Sequence, residues 1–125
     1  MNVPENLRYT SDHEWILLEG DIATVGITDH AQEELTDVVF VELPDEGRTC
    51  DAQDPIAVVE SVKAASDIYC PVAGEITEGN IDLDGDPALV NTDPYGAGWL
   101  FKVRVRDTAD VEALMDADGY KSLIG

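Results

Sequence analysis

A chain of 125 residues fits one domain and hides roughly two-thirds of its extended surface on folding. Its 27 Asp and Glu against 7 Lys and Arg give a formal net charge of -20, which makes nucleic acid and anionic membranes poor partners. Its 44% hydrophobic content argues against a disordered chain.

Acidic residues occur in every stretch, so they describe a solvated, self-repelling surface that concentrated salt would screen, as in a halophilic prokaryote. Met1–Glu5 lacks the basic and apolar segments of a signal peptide, and no apolar run reaches membrane-spanning length, so a cytoplasmic protein is expected.

Two β-prone runs, Glu14–Glu19 and Ile22–Ile27, flank Gly20-Asp21, a pair suited to a tight turn, and this predicts a hairpin. Thr28 or Asp29 then caps a short helix through His30–Leu35, with Gln32 three residues after Asp29 as in a capping-box variant. Val38–Leu43 is β-branched and aromatic, and Pro44-Asp45-Glu46-Gly47 closes it with a turn.

Strands are predicted over Pro55–Glu60 and Asp67–Val72, with Ser61–Ala65 as the bend between them and a Val72–Glu75 turn leading into Ile76 and Thr77. Asn80–Gly98 reads as irregular, with one helical turn near Ala88-Leu89-Val90. Trp99–Arg106 alternates, placing Trp99, Phe101, Val103 and Val105 on one face. Asp107 or Thr108 caps a last helix with Val111, Leu114 and Met115 at helical spacing, before Gly119 and a short terminal piece. Trp15 and Trp99 are expected in the core.

Cys50 and Cys70 show no CxxC spacing and read as two small buried thiols rather than a disulfide. His13 and His30 are too few and too far from the cysteines in sequence to suggest a metal site, so no metal is assigned. Gly96-Ala97-Gly98 precedes a strand rather than a helix, which makes it a packing turn and not a phosphate loop.

Three lysines remain to be explained. Lys102 lies on the polar face of the Trp99 strand and Lys121 follows the last helix, as surface charges do. Lys63 falls at the bend between two Val- and Ile-rich strands, flanked by the small, uncharged Val62 and Ala64. A cofactor that visits several active sites needs an amine for attachment, a flexible tether and a rigid base, and a lysine at a hairpin tip supplies all three.

The run from Val59 to Glu75, with Glu60-Ser61-Val62-Lys63-Ala64 at its heart, closely resembles the lipoylation segment of glycine cleavage H proteins. Further matches bracket it in order: Tyr9-Thr10, His13-Glu14-Trp15, Val25–Asp29, Ala31–Leu35, Val39–Pro44, Asn91, Asp93–Gly96 and Gly98–Leu100. The resemblance implies a mainly β barrel-sandwich hybrid of the lipoyl and biotinyl type, two small antiparallel sheets with short helices and a C-terminal helix, over residues 1-125.

It further implies lipoate on Lys63, with Glu60 and Gly74 as marks for the lipoate-attaching enzymes. Such a carrier shuttles the methylamine of glycine from a pyridoxal-phosphate glycine decarboxylase to a tetrahydrofolate-dependent aminomethyltransferase. Dihydrolipoamide dehydrogenase reoxidises the arm, and the carrier is a shuttled substrate with no catalytic residue. Glu14 and Asp67 match family positions proposed to receive the cationic amine of the loaded arm, and Asp12 stands where relatives often carry a small hydroxyl residue.

Three other readings share these features. A biotin carrier would usually have Met on both sides of the lysine, where Val62 and Ala64 stand. An H-like relay would donate lipoyl groups to other enzymes, and a plain interaction module would not need Lys63 at all.

Overall fold

The computed structural model describes residues 2–125. Among the described residues nine strands form two antiparallel sheets. The larger contains β1 (Arg8–Tyr9), β2 (Glu14–Glu19), β3 (Ile22–Ile27), β5 (Thr49–Cys50), β8 (Gly74–Gly79) and β9 (Phe101–Val105), in the order β1-β2-β3-β9-β8-β5. The smaller contains β4 (Val38–Glu42), β6 (Pro55–Ser61) and β7 (Ala65–Tyr69), with β6 in the middle. This is the expected mainly β architecture with short helices and a C-terminal helix, and it takes the form of a barrel-sandwich hybrid.

The β2–β3 hairpin follows the sequence pattern. Glu19 faces Ile22 across the two-residue loop, and Gly20 takes the positive φ, 66°, that such a turn requires. Alternation then sends Ile16, Ala23, Val25 and Ile27 into one core with Val41, Val59 and Ile68 of the smaller sheet. A second cluster on the outer side of the larger sheet joins Leu7, Tyr9 and Trp15 to Ala117 and Tyr120 of α5 (Ala117–Ile124). Tyr9 and Tyr120 stack there with ring centroids 4.7 Å apart.

Helix α1 (Asp29–Leu35) is capped by Thr28, whose Oγ1 accepts the Ala31 N–H at 3.2 Å. Gln32 does not close a capping box, because its amide donates to the Asp29 carboxylate at 2.7 Å instead. The strand expected at Asp67–Val72 runs over Ala65–Tyr69. The expected turn at Val72–Glu75 ends sooner: Gly74 and Glu75 already pair with Cys50 and Thr49 as the start of β8.

Two single-turn helices, α2 (Asp82–Gly85) and α3 (Leu89–Thr92), stand where one was expected. Leu83 and Val90 anchor them in the core. Trp99 departs from the face of Phe101, Val103 and Val105: it precedes β9, packs half-buried in the outer cluster and lies beneath the Lys102 ammonium at 5.1 Å.

The final helix splits as well. A single turn, α4 (Ala109–Glu112), stops before Met115, which forms a β-bridge with Tyr9. Asp116 then caps α5, accepting the Gly119 N–H at 2.8 Å, so Gly119 lies inside a helix rather than after one.

Among the described residues no helix is long and apolar enough to cross a membrane. Cys50 and Cys70 are buried and unbridged.

Candidate functional site

The bend between β6 and β7 is a tight hairpin held by Ser61. Its Oγ accepts the N–H groups of Lys63 and Ala64 at 3.3 and 3.1 Å, and the Ser61 N–H donates to the Ala64 carbonyl at 2.8 Å. Val62 N–H donates to the Asp37 carbonyl at 3.0 Å, tying the hairpin to the start of β4. Lys63 is exposed at the tip of this fixed turn.

The other two lysines are engaged. Lys102 lies over Trp99, and Lys121 pairs with Glu5 at 3.6 Å. Among the described residues Lys63 enters no ion pair. It is therefore the lysine free to bear a group.

Beside the hairpin runs a cleft of about 600 Å³. Ile27, Ala31, Leu35 and Ile68 supply apolar walls, Lys63 to Ser66 form the hairpin side, and Asp12, His13 and Glu34 supply the polar end. Periodicity explains the helix side, since Ala31, Glu34 and Leu35 share one face of α1 at i, i+3 and i+4. An aliphatic chain extending from the Lys63 amine would find apolar cover there and a negative rim for a cationic tip. Those surroundings fit lipoate.

Two of the three carboxylates expected to line this cleft do not line it. Asp12 does. Glu14 lies fully buried beneath, with Oε1 accepting from Thr10 Oγ1 at 2.9 Å and Oε2 from the Tyr69 N–H at 3.0 Å. Burial pushes its carboxyl from 4.5 up to about 7, the two hydrogen bonds oppose that rise, and the charge of Asp12 adds to it.

Asp67 alternates with Ser66 and Ile68 along β7, so it points to the opposite side and lines a separate pocket with Glu42 and Arg48. Glu60 is exposed at the end of β6, three residues before the lysine. Gly74 is buried where β8 meets β9, and a Cβ there would overlap the Arg104 carbonyl and the Val103 side chain. Close packing alone therefore demands glycine at this position.

Sequence reasoning missed His13 and Glu34. The α1 periodicity signals Glu34, whereas His13 stands in a matching run, His13-Glu14-Trp15, with no pattern to show that it faces the cleft; it takes a φ of 68°. Its Nδ1 meets the Tyr120 hydroxyl at 2.8 Å, and its ring lies 4.7 Å from that of His30. Burial first, then the neighbouring His30, holds the His13 imidazole below its ordinary pKa. His30 in turn contacts Glu34 at 3.1 Å.

A barrel-sandwich fold that shows one free lysine on a rigid hairpin, beside an apolar cleft, defines a prosthetic-group carrier of the lipoyl and biotinyl class. Among known families, the one described as Glycine cleavage H-protein matches residues 7–125. A glycine cleavage system H protein from Bacteroides fragilis is 53% identical over 124 residues, covering 99% of this chain and 98% of that one.

The Pseudoalteromonas atlantica protein of the same name is 58% identical, covering 98% of this chain and 96% of its own length. The crystal structure of a glycine cleavage system H protein from Mycobacterium marinum superposes with a TM-score of 0.90 at 43% identity, over 98% of this chain and 99% of that one. The chain belongs to the glycine cleavage H-protein family, the lipoyl carriers of the glycine cleavage system.

Proposed function

We propose that Lys63 carries lipoate in amide linkage and that the chain serves as a mobile substrate rather than a catalyst. The observation that supports this best is the display of Lys63 on a hydrogen-bonded turn while Lys102 and Lys121 are engaged elsewhere. Its partners would be glycine decarboxylase, aminomethyltransferase and dihydrolipoamide dehydrogenase, together with the lipoate-attaching enzymes. When bound, the lipoyl group supplies a cyclic disulfide that takes up the methylamine of glycine and gives up its carbon to tetrahydrofolate.

This chain's own residues hold and orient the arm. Ser61 fixes the base, the apolar walls cover the aliphatic stretch, and Asp12 and Glu34 face a cationic tip. Glu14 acts from below, by fixing the backbone of Tyr69. Glu60 presents its carboxylate to an attaching enzyme, and Gly74 contributes by letting β8 approach β9.

Incubating the full chain with lipoate, ATP and a lipoate-attaching enzyme, followed by intact mass and fragmentation, tests the assignment. One adduct on Lys63 is expected, lost in Lys63→Arg and kept in Lys102→Arg and Lys121→Arg. An adduct on another lysine overturns it. Exchange of glycine carboxyl carbon with bicarbonate, assayed with purified decarboxylase, separates a glycine cleavage carrier from a relay that only donates lipoyl groups.

For the cleft, replacing Asp12 and Glu34 by Asn and Gln should speed formaldehyde release from the loaded protein, and Asp67→Asn should not. The reverse pattern would return the role to Asp67. The net charge of -20 further supports adaptation to concentrated salt, for which stability should climb steeply into molar salt. Indifference to salt removes that reading.

A further inference from the structure

Cys50 and Cys70 have no part in the carrier chemistry, yet the backbone brings them together. Cys50 ends β5 and pairs with Gly74 in the larger sheet. Cys70 follows the last residue of β7 in the smaller sheet. Between them, the turn at residues 51–54 folds back: Asp54 N–H donates to the Asp51 carbonyl at 3.1 Å, and Asp51 N–H to the Asp54 carboxylate at 2.8 Å. That turn is stitched to Cys70 on both sides, with Gln53 N–H donating to the Cys70 carbonyl at 2.7 Å and Cys70 N–H to the Asp54 carbonyl at 2.8 Å.

The two cysteines are thus brought to one seam between the sheets, both in the same buried core and both free. They differ in access. Cys50 lines a crevice of about 70 Å³ with Thr49, Asp51, Asp54 and Arg106, whereas Cys70 is fully buried, its sulfur 3.1 Å from the Val72 carbonyl.

We propose that Cys50 and Cys70 form a redox-active dithiol that a low-molecular-weight disulfide, such as oxidised glutathione, converts into an intramolecular disulfide between the two sheets. The thiolate of Cys50 attacks one sulfur of the reagent, forming a mixed disulfide on Cys50 and expelling one thiolate, which takes up the proton that Cys50 lost. The Cys70 thiolate then attacks the Cys50 sulfur and expels the second thiolate, which takes up the proton from Cys70. Two protein thiols are oxidised, one reagent disulfide is reduced to two thiols, and nothing else is consumed.

The order of attack follows from the surroundings. The nearby Cys70, with the Gly74 backbone and Arg48, favours the Cys50 thiolate, while burial and Asp54 oppose it. The nearby Cys50 and burial push the Cys70 thiol up. Arg106 at the crevice mouth pairs loosely with Asp51 at 3.9 Å. Once Cys50 is capped, Cys70 on the other side of the seam becomes the resolving thiol.

The test uses the full chain as its Lys63→Arg variant, so that no lipoyl dithiol contributes. The protein is incubated with oxidised glutathione, unfolded, alkylated with iodoacetamide and measured by intact mass and peptide mapping. The expected product has lost two hydrogens, carries no alkyl group or glutathione, and yields a peptide joined through Cys50 and Cys70.

Its Tm should rise by about 10 °C over the reduced chain, as closing a loop of this size in the unfolded state entails. Cys70→Ser should trap one glutathione on Cys50, and Cys50→Ser should leave Cys70 unmodified. Two alkylated cysteines, or glutathione on each, would overturn the proposal. Both outcomes are read on the cysteine-intact chain, so poor folding of either serine variant does not rescue it.

Discussion

Replacing Glu14 by Gln isolates one buried carboxyl from the other 26 acidic residues of the chain. Glu14 has no exposed surface, and its carboxyl stands at about 7 against an ordinary 4.5. A raised carboxyl pKa contributes its full stability below the unfolded value, where both states hold the proton. That contribution is lost as pH rises through the folded value, because the unfolded chain ionises first. The difference between the two pKa values corresponds to about 3 kcal/mol, lost mostly between pH 4.5 and 7 and constant above.

Gln cannot ionise, while its carbonyl still accepts the Tyr69 N–H that Glu14 Oε2 accepts at 3.0 Å. Urea unfolding of parent and Glu14→Gln at intervals from pH 4 to 8.5 should give stability curves that differ by a pH-dependent amount. The variant should gain about 3 kcal/mol on the parent between the two ends. Contributions common to both proteins cancel in the difference. Parallel curves would mean that Glu14 ionises normally, and the burial argument would fail.

Gly74→Ala should cost about 3 kcal/mol in chemical denaturation, because a Cβ there overlaps the Arg104 carbonyl and the strands must separate to admit it. Tyr120→Phe removes the hydroxyl that meets His13 Nδ1 at 2.8 Å and Thr28 Oγ1 at 2.7 Å, so thermal unfolding should show a loss of about 1–2 kcal/mol. Asn91→Ala strands the Val38 N–H and the Thr36 carbonyl, which the Asn91 amide meets at 2.8 and 2.6 Å. A loss of about 2–3 kcal/mol and faster hydrogen exchange at the start of β4 should follow.

The hairpin and the capped first helix rest on contacts within a few residues of themselves, and the longer strands were legible from their β-branched and alternating residues. The two shortest strands, β1 and β5, were invisible because two residues carry no pattern: Arg8-Tyr9 and Thr49-Cys50 are strands only through their partners at Trp15–Ile16 and Gly74–Glu75. The last helix misled because Val111, Leu114 and Met115 do have helical spacing, yet the Met115 backbone bonds to Tyr9 and Asp116 begins a new helix.

At the site, Lys63 and its turn were legible from the bend and from the neighbouring motif. The carboxylates were not, since family position says nothing about which face of β7 Asp67 occupies or how deep Glu14 lies.

The depth of Glu14 also bears on how the carrier works. The smaller sheet, which bears Lys63, is held near its margins by two polar contacts from outside it, Glu14 of β2 to the Tyr69 N–H and Asn91 of α3 to the Val38 N–H, while the Asp37 carbonyl extends the β4–β6 ladder to the Val62 N–H. The first two satisfy backbone N–H groups that β4, β6 and β7 do not satisfy among themselves. The base of Lys63 is thereby fixed relative to both the cleft and the larger sheet.

Reach then belongs to the side chain and whatever it carries, and a short flexible tether on a fixed base keeps its tip at an effective concentration of about millimolar near the cleft. Loosening the base, as loss of the Glu14–Tyr69 contact would, spreads the tip over a larger volume without shortening the arm. On the proposed assignment of lipoate to Lys63, retention in the cleft would suffer before attachment does.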